Sequence, residues 1–414
     1  MRWDPKGPAA TPSWDGLLIL HFALLPMKRI FDEVHGSIEL DDLSVKLADL
    51  PEFQRLRRIR QTSLAYTVYP GANHTRFSHS LGTYYLADKI GNKLLKEGAI
   101  TGEELTLVKI SALIHDLGQF PFSHAIESFY ITKGLGNKEL RDLILKSHIS
   151  DILDDYGIDH KKVRDLLNGT SMLTSVIDGD VDVDRMDYLI RDSTHTGIQL
   201  GRIDLDRLIF TISYRENGIS IQDKGIISLE NFYLSRLHMY QAVYYHKTIL
   251  GYELFLRSIY SKLLEECETR LEVEDIKEMI ERGTFPYWDD EWVFGSLYRC
   301  YSANPNSTTS QMIKDFLDRR GPKVVYEEIS YDNEKDTKFN EVTDRLARHI
   351  PQDSLYPFEE KISILDKSRI RVMTKDREID LDGYPTLLRS IPERLIIRRV
   401  YVDRRFVNRA REII

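Results

Sequence analysis

The chain has 414 residues, with 57 Lys and Arg against 65 Asp and Glu, a formal net charge of −8 and 42% hydrophobic residues. This composition is that of a folded globular protein, and it excludes collagen-like, coiled-coil and low-complexity chains. The acidic balance provides no long-range attraction for nucleic acid, so it gives no support to nucleic acid as the main partner. At roughly 100 to 200 residues per domain, the length predicts one large domain with a smaller one, or two to three modules.

The first 26 residues are rich in proline and have no regular hydrophobic period, so we expect a disordered or mis-assigned extension, with Met27 as an alternative start of translation. An apolar run from Leu17 to Leu25 is interrupted by His21. This run is shorter than the roughly 20 apolar residues that cross a membrane, and no small-residue cleavage site follows it. We therefore expect neither a secretory signal nor a membrane partner.

Residues 42 to about 317 carry apolar side chains at three- and four-residue spacing, which predicts a mainly α fold. Thr101 and Glu104 form a capping-box pattern at the start of one helix, and Gly118 stops it, so that His115 and Asp116 fall in its last turn. One hairpin interrupts the helices, because strand-like residues 211–214 and 219–222 flank the turn signal Asn217-Gly218.

The pattern changes after residue 310. Residues 324–329, 370–374 and 395–402 alternate or carry β-branched side chains, as strands do. We therefore expect a helical domain at 27–310 and a small α+β region at 311–414, the latter serving oligomer contacts. The two cysteines, Cys267 and Cys300, have neither metal nor redox spacing, which argues against a disulfide framework and a cysteine-ligated zinc site and favours a reducing cytoplasm.

Two histidines and two carboxylates stand out as a candidate metal site: His79, His115, Asp116 and Asp184. Two imidazoles with two carboxylates suit a divalent ion such as iron, manganese, zinc or nickel and leave positions for water and a substrate oxygen. Such an ion lowers the pKa of a bound water and polarises a phosphoryl oxygen, which predicts hydrolysis. The alternative for Asp184 is a solvated acidic face or a helix N-terminus shared with neighbouring acidic residues, namely Asp180, Asp182 and Asp187.

The segments around these residues carry a family resemblance, over residues 53–57, 69–72, 74–82, 115–124 and 182–192. They resemble the HD-domain deoxynucleoside triphosphate triphosphohydrolases, and look closest to the branch that contains the vertebrate sterile-alpha-motif enzyme and its prokaryotic relatives. The resemblance runs from about Lys28 through Lys247 and weakens in the α+β region. It implies an HD-domain helical core, a divalent ion that includes magnesium among the candidates, and hydrolysis of dNTP to deoxynucleoside and inorganic triphosphate.

The resemblance also implies residue roles. The metal ligands would be His79, His115, Asp116 and Asp184. His124 would be the general acid, His148 a second catalytic histidine and Glu127 the carboxylate that orients a histidine. The triphosphate would contact Arg76, Arg185, Tyr188 and Arg236. The sugar 3′-hydroxyl would bind Asp192, and a sugar wall that disfavours ribose would be formed by Gln61 and Tyr244.

A second nucleotide site is implied by four positions that match those at which the eukaryotic relative binds an activating guanine nucleotide: Lys28, Asp49, Gln54 and Arg57. A carboxylate can accept from guanine N1 and N2 while Arg and Gln reach O6 and N7. Such a site would bind GTP or dGTP between subunits, which favours a homotetramer as the active form. The alternative is that residues 54–57 form a polar helix face.

Three departures from the family pattern bear on activity. Gln119 and Phe120 stand where relatives commonly have His and Gly, Arg185 replaces Lys, and Tyr245 replaces a base-contacting Gln. Two other functions therefore stay open: phosphohydrolysis of nucleoside monophosphates, cyclic nucleotides or oligonucleotides, and nucleotide sensing or nucleic-acid binding with a vestigial site. Ion pairing is the alternative for Arg76 and Arg185, and core packing for Tyr188 and Tyr244.

Overall fold

The computed structural model describes residues 28–215, 218–267, 271–332, 338–375 and 377–414. The predicted N-terminal extension, Met27 and Asn217 lie outside these residues. Helices dominate the described chain, as predicted: α1 Asp42–Ala48, α2 Pro51–Arg55, α3 Arg76–Lys96, α4 Gly102–Ile114, α5 His124–Ile131, α6 Asn137–Ile144, α7 Ser150–Asp155, α8 His160–Leu167, α9 Thr174–Ile177, α10 Val183–Thr196, α11 Leu205–Thr211, α12 Ile226–Met239, α13 Lys247–Glu266, α14 Val273–Glu281, α15 Asp290–Ala303, α16 Thr308–Leu317, α17 Phe339–Ala347 and α18 Val407–Ile413. Within the described ranges, none of these helices has the length and apolar character that a membrane crossing needs.

The strands form three small sheets, and they are β1 Lys28–Asp32, β2 Gly36–Leu40, β3 Ile212–Arg215, β4 Gly218–Gln222, β5 Lys323–Tyr331, β6 Leu355–Ser363, β7 Arg371–Met373, β8 Glu378–Asp380 and β9 Arg394–Val402. β1 and β2 are an antiparallel hairpin, and β5, β9 and β6 form an antiparallel sheet in that order. The third sheet has the order β3-β4-β7-β8, in which β4 and β7 are parallel. This parallel pair joins the helical region to the C-terminal α+β region.

The predicted strands are confirmed in place, but four others were missed. The hairpin β3–β4 forms as expected, although Thr211 ends α11 instead of opening β3. Two missed strands belong to the C-terminal region: β6 has no regular alternation of apolar residues, and β8 has only three residues, two of them acidic, so hydrophobic alternation reveals neither. The missed hairpin β1–β2 carries a readable signal, because Ile38 and Leu40 are buried at alternate positions and Gly36 has a φ of 75° at the turn.

The helix that leads to the candidate metal site begins as predicted. The Oγ1 of Thr101 accepts from the backbone N–H of Glu104, and the carboxylate of Glu104 accepts from that of Thr101. The helix ends at Ile114, earlier than expected, so that His115 caps it and Asp116 follows it. Gly118 has a packing role here, because a Cβ at this position would lie 2.1 Å from the Asn137 carbonyl oxygen.

Contrary to the expectation from their spacing, Cys267 and Cys300 form a disulfide, with Cα atoms 5.5 Å apart. Cys267 follows the end of α13 and Cys300 lies in the last turns of α15. Their sequence separation of 33 does not indicate how these two helices pack, and it is this packing that brings the thiols together.

A strained turn at residues 122 and 123 leads into α5 and is held by a buried carboxylate. Phe122 and Ser123 have φ angles of 51° and 47°, a region that residues other than glycine seldom adopt. The fully buried Asp290 accepts from the backbone N–H of Phe122 at 2.7 Å and from that of Arg60 at 3.0 Å. Asp290 therefore ties two loops, one of which places His124 at the start of α5, to the first turn of α15.

We predict that Asp290→Ala lowers the free energy of unfolding by about 2 to 5 kcal/mol, because each of two buried N–H groups left without an acceptor costs about 1 to 3 kcal/mol. Urea denaturation measures this change. Asp206→Ala, at a side chain that is 87% exposed, is the control and should change it by no more than about 0.5 kcal/mol. Equal stability of the two variants would contradict the role given to Asp290.

Candidate metal centre and active-site cavity

The four predicted metal ligands lie together. His79 is in the first turn of α3, His115 and Asp116 follow α4, and Asp184 is in the first turn of α10. The Nε2 of His79 lies 2.9 Å from Asp184 Oδ1 and 3.8 Å from Asp116 Oδ2. The Nε2 of His115 lies 3.5 Å from Asp116 Oδ1 and 3.7 Å from Asp184 Oδ1.

These separations fit one divalent ion. Ligand atoms about 2.1 Å from an octahedral ion lie about 3 Å from their neighbours, close to the distances found here. The Nε2 atoms of both histidines are buried and lack a regular hydrogen bond, as metal-ligating nitrogens would. Because the set mixes imidazole and carboxylate, it suits iron, manganese, zinc or nickel better than magnesium.

In each histidine, the hydrogen bond made by Nδ1 determines which ring nitrogen has a free lone pair for a metal ion. The Nδ1 of His115 lies 2.7 Å from the Ala112 carbonyl, which only accepts, so Nδ1 carries the proton and the lone pair is on Nε2. The Nδ1 of His79 lies 2.7 Å from Asp187 Oδ2, and a carboxylate has the same effect. Both lone pairs therefore point at the cluster, the arrangement that orients histidine ligands.

The cluster has an excess of buried negative charge. Burial alone would raise the pKa of Asp116, but the guanidinium of Arg76, which donates to its Oδ2 at 3.0 Å, and the two histidines lower that pKa well below its usual value. Burial also disfavours a charged His79, yet Asp184 and Asp187 raise the pKa of His79 to about 10. The two carboxylates thus attract either a proton or a cation to His79, and a bound metal ion has to displace that proton.

A cavity of 640 Å³ opens beside the cluster. Nine of the predicted site residues line it, and they are Gln61, Arg76, Asp116, His124, Glu127, Asp184, Tyr188, Asp192 and Tyr244. His79 and His115 lie behind its wall. One cavity therefore contains carboxylates of the metal cluster and the residues predicted for the leaving group and the sugar.

His124 and Glu127 form a pair on the first turn of α5. The Nδ1 of His124 lies 3.1 Å from Glu127 Oε2, while Glu127 Oε1 accepts from the backbone N–H of Asn137 at 3.1 Å. The His124 side chain is 84% exposed and faces the open cavity. The hydrogen bond that His124 donates to Glu127, more than the charge of Glu127, raises the pKa of His124. The pair therefore favours the protonated imidazole that a general acid needs.

The predicted sugar end is built around Asp192. Its Oδ2 accepts from the hydroxyl of Tyr244 at 2.7 Å, and its Oδ1 lies 2.6 Å from the Nε2 of His74. His74 is buried beside Asp192 and stacks on His195. Gln61 also lines the cavity, and its Oε1 is buried without a hydrogen bond.

Two of the predicted phosphate-binding arginines do not line the cavity. Arg185 donates to the Gly179 carbonyl and pairs with Asp182. Arg236 donates to the carbonyls of Ser363 and Ile364 in the C-terminal region. Arg76 does line it, bound to Asp116 and Ser123. Contact of Arg185 and Arg236 with phosphate stays a prediction, and it requires both side chains to turn from their present acceptors.

His148 lies apart from the residues that line the cavity. It is exposed in a π-helical segment, Leu145–Ile149, between α6 and α7. Its catalytic role stays a prediction that would need this segment to move.

The four residues predicted to bind an activating nucleotide are neighbours on the surface. Lys28 at the start of β1 pairs with Asp49 at 3.1 Å, and Arg57 donates to Gln54 at 2.8 Å. Gln54 in turn donates to the Ala48 carbonyl, and the Arg57 guanidinium lies 3.5 Å from the ring centre of Phe77. The four residues thus lie near one another, but their side chains are paired with protein groups. Nucleotide binding at this surface stays a prediction.

Sequence reasoning missed two residues of the cavity. Glu253 on α13 faces it, and neither its helical position nor its neighbours set it apart in the sequence. Gln119, noted only as a departure from a family pattern, donates to Asp116 Oδ1 at 2.9 Å and accepts from Asn137. Phe120 beside it is fully buried against Tyr130 and Trp288. Gln119 therefore orients a metal ligand, whereas Phe120 belongs to the core.

We predict that Glu253→Gln becomes increasingly more stable than the unchanged protein as the pH rises from about 4.5 to above 7. Burial raises the pKa of Glu253 to about 7, against the opposing effects of His124 and Ser63. A raised carboxyl pKa stabilises the fold fully below the unfolded pKa, and this contribution is lost as the pH passes the folded pKa, by at most about 3 kcal/mol here. Denaturation at several pH values tests this, and Glu265→Gln, on the exposed face of α13, should show no such trend.

Comparison with known proteins identifies the same regions. Residues 76–192 match the HD domain and residues 203–290 match the HD associated region. The first match begins at Arg76, three residues before His79, and ends at Asp192. It therefore contains all four candidate metal ligands, while the second match includes α13, which forms part of the cavity wall.

Relatives and solved structures agree with these matches. The uncharacterized protein MJ1154 of Methanocaldococcus jannaschii is 39% identical over 257 residues, which cover 61% of this chain and 53% of that one. The deoxynucleoside triphosphate triphosphohydrolase SAMHD1 of Gallus gallus is 32% identical over 279 residues, covering 57% and 45%. A phosphohydrolase from Bacteroides thetaiotaomicron superposes with a TM-score of 0.76 at 25% identity, over 92% of this chain and 100% of that one.

The chain spans about half the length of the two relatives. Within that span, the HD match, the histidine and carboxylate group and the phosphohydrolase of the same fold point to one conclusion. The chain therefore carries an HD domain at residues 76–192, followed by an HD associated region at residues 203–290.

Proposed function

We propose that this protein hydrolyses dNTPs to deoxynucleoside and inorganic triphosphate. One observation carries the proposal: a single cavity is lined by Asp116 and Asp184 of the candidate metal site, by the His124–Glu127 pair and by the Asp192–Tyr244 pair. These are the groups needed at the α-phosphate, the leaving oxygen and the sugar. The chicken relative named a deoxynucleoside triphosphate triphosphohydrolase supports the choice of substrate.

His79, His115, Asp116 and Asp184 would hold the divalent ion. When bound, the ion supplies Lewis-acid chemistry, because it polarises a phosphoryl oxygen and makes water a better nucleophile. Arg76 lines the cavity, and its two terminal nitrogens donate to Asp116 and Ser123. Its positive charge would stabilise the negative charge of the phosphates. Protonated His124 would donate its proton to the departing 5′-oxygen, while Glu127 keeps the ring oriented.

Sugar recognition would depend on Asp192. Its carboxylate, held from one side by His74 and from the other by Tyr244, has its position fixed before a ligand arrives. A fixed carboxylate at hydrogen-bonding distance accepts well from a 3′-hydroxyl. The ring of Tyr244, which contacts that of Tyr188 edge to face, would close the space that a ribose 2′-hydroxyl needs.

Activation by GTP or dGTP is part of this proposal. The group formed by Lys28, Asp49, Gln54 and Arg57 offers two cationic side chains, a carboxylate and an amide on one surface patch. Guanine and phosphate can use all four. A site at this surface would be completed by a second copy of the chain, and a homotetramer in the cytoplasm is the assembly we propose.

A second candidate function has its own support. Of the predicted phosphate-binding arginines, only Arg76 lines the cavity, since Arg185 and Arg236 are bound to protein groups. A single guanidinium suits a nucleoside monophosphate, which carries less charge than a triphosphate. Hydrolysis of deoxynucleoside monophosphates is therefore the alternative.

The test is incubation of the purified protein with each dNTP and each dNMP, with Mn²⁺ or Mg²⁺, and with or without GTP. Chromatography of the products distinguishes inorganic triphosphate with deoxynucleoside from inorganic phosphate with deoxynucleoside. We expect the first pair from dNTPs, and a higher rate with GTP. Release of phosphate from dNMPs alone would favour the alternative, and no product from any mixture would refute both.

We predict that Asp184→Asn lowers kcat by at least about a hundredfold and lowers the bound metal content, because metal catalysis contributes several kcal/mol. Asp206→Asn makes the same chemical change at an exposed site on α11 and should leave both unchanged. Metal content is measured by elemental analysis. If Asp184→Asn binds metal as well as Asp206→Asn does, Asp184 is not a required ligand.

We predict that Glu127→Gln moves the alkaline limb of the pH profile of kcat to lower pH. A general acid works while protonated, so the rate falls as the pH rises through the pKa of His124. Glu127 raises that pKa, and Gln retains the shape without the charge. The matched control is Glu278→Gln, which breaks only an exposed pair with Arg282. An alkaline limb in the same place for all three proteins would count against His124 as the acid.

A further inference from the structure

The tip of the β1–β2 hairpin reaches into the molecule and contacts one face of α10. Three residues of the tip, Asp32, Glu33 and His35, meet three residues spaced four apart on α10, Asp187, Arg191 and His195. Asp184, one turn before Asp187, and Tyr188, the residue after it, line the cavity. The hairpin tip therefore contacts the helix that carries these cavity residues.

The first connection leads to the metal cluster. His35 Nε2 lies 2.6 Å from Asp187 Oδ1, and His79 Nδ1 lies 2.7 Å from Asp187 Oδ2. Arg191 donates to both oxygens of Asp187, at 2.9 and 3.0 Å, and also to both oxygens of Asp32, at 2.8 and 3.2 Å. Asp187 and Arg191 are fully buried, and Asp32 nearly so.

This first connection has no spare hydrogen-bonding capacity. A carboxylate has about four lone-pair positions, and Asp187 uses four, one each for His35 and His79 and two for Arg191. With its bond to Glu33, Arg191 makes five hydrogen bonds, the number of its donors. Loss of one member leaves a buried charge short of a partner, which costs more than the bond itself.

The neighbouring helix is adapted to this network. Gly82 on α3 lies one turn after His79, and a Cβ there would be 1.9 Å from Asp187 Oδ1 and 2.5 Å from the Nη2 of Arg191. Only glycine lets α3 approach this closely. The ring of His35 also stacks on Tyr85 of α3 at 4.9 Å.

The second connection leads to the sugar end of the cavity. Glu33 Oε1 lies 2.9 Å from the Nε2 of His195, whose ring stacks on that of His74 at 4.4 Å. His74 holds Asp192 Oδ1 at 2.6 Å. One hairpin tip is therefore linked to the metal cluster through His35 and Asp187 and to the predicted sugar site through Glu33 and His195.

We propose that the hairpin tip is a positioning element with two separable effects. His35, with Asp32, fixes Asp187 and hence the direction of the His79 lone pair, so it governs the affinity for the metal ion. Glu33, with His195, fixes His74 and hence Asp192, so it governs the affinity for the sugar of the nucleotide. The second effect rests on the proposed function, whereas the first does not.

The test measures the two effects separately on the full chain. The dissociation constant of Mn²⁺ is measured by calorimetry without nucleotide, and KM and kcat for dNTP are measured at saturating Mn²⁺. We expect His35→Ala to weaken Mn²⁺ binding about tenfold or more, as loss of groups that orient metal ligands does, with little change in KM. His195→Ala should raise KM severalfold and leave Mn²⁺ binding unchanged.

Two further variants separate positioning from general damage to the fold. His35→Gln can still donate one hydrogen bond to Asp187, so it should restore most of the Mn²⁺ affinity that His35→Ala loses. His160→Ala removes an exposed histidine paired with Asp154 and should leave both constants unchanged. Thermal unfolding of each variant shows that the comparison is made between folded proteins.

The outcomes decide the proposal. Unchanged Mn²⁺ affinity in His35→Ala, or equal losses in His35→Ala and His35→Gln, would overturn the first connection. Parallel changes of Mn²⁺ affinity and KM in both His35→Ala and His195→Ala would overturn their separation. If no dNTP is hydrolysed at all, the proposed function and the second connection fail, while Mn²⁺ binding still decides the first.

Discussion

Three carboxylates surround the buried ring of His79. The arrangement of the site depends on which positively charged group neutralises each of them. Asp187 is neutralised by Arg191 and Asp116 by Arg76. Asp184 has only the two histidines as partners of opposite charge among the described ion pairs. With neutral histidines the three carboxylates exceed the two guanidinium groups by one negative charge, and although Asp184 is 36% exposed, this excess favours protonated imidazoles or a cation at the site. A divalent ion meets this need, and the meeting of α3, α4 and α10 provides the place for it.

The sequence predicted the parts of the site that depend on local pattern. His79, His115, Asp116 and Asp184 were found from residue type and motif, and the structure places them within reach of one ion. The start of α4 was predicted because the Thr101–Glu104 capping box is a purely local interaction. Where four neighbouring residues decide a conformation, sequence reasoning succeeds.

Long-range packing explains what the sequence did not reveal. The acceptors of Arg236 are carbonyls more than a hundred residues away, and no pattern near Arg236 indicates them. The pairing of Cys267 with Cys300 depends on how α13 and α15 cross, and the inward position of Glu253 depends on the same helix packing. The sequence analysis made no prediction for the tip of the β1–β2 hairpin, although the side chains of Asp32 and His35 are buried against α10.

The parallel pairing of β4 with β7 has a practical consequence for anyone who wishes to express the catalytic part alone. A shortened chain that ends near residue 310 would leave the backbone groups of Ile221 and Gln222 without their partners at Val372 and Met373. An uncovered strand edge invites pairing between molecules, so such a fragment would tend to precipitate. It would also remove the two carbonyl groups that accept hydrogen bonds from Arg236. The compositional change at residue 310 is therefore a poor place to cut this protein.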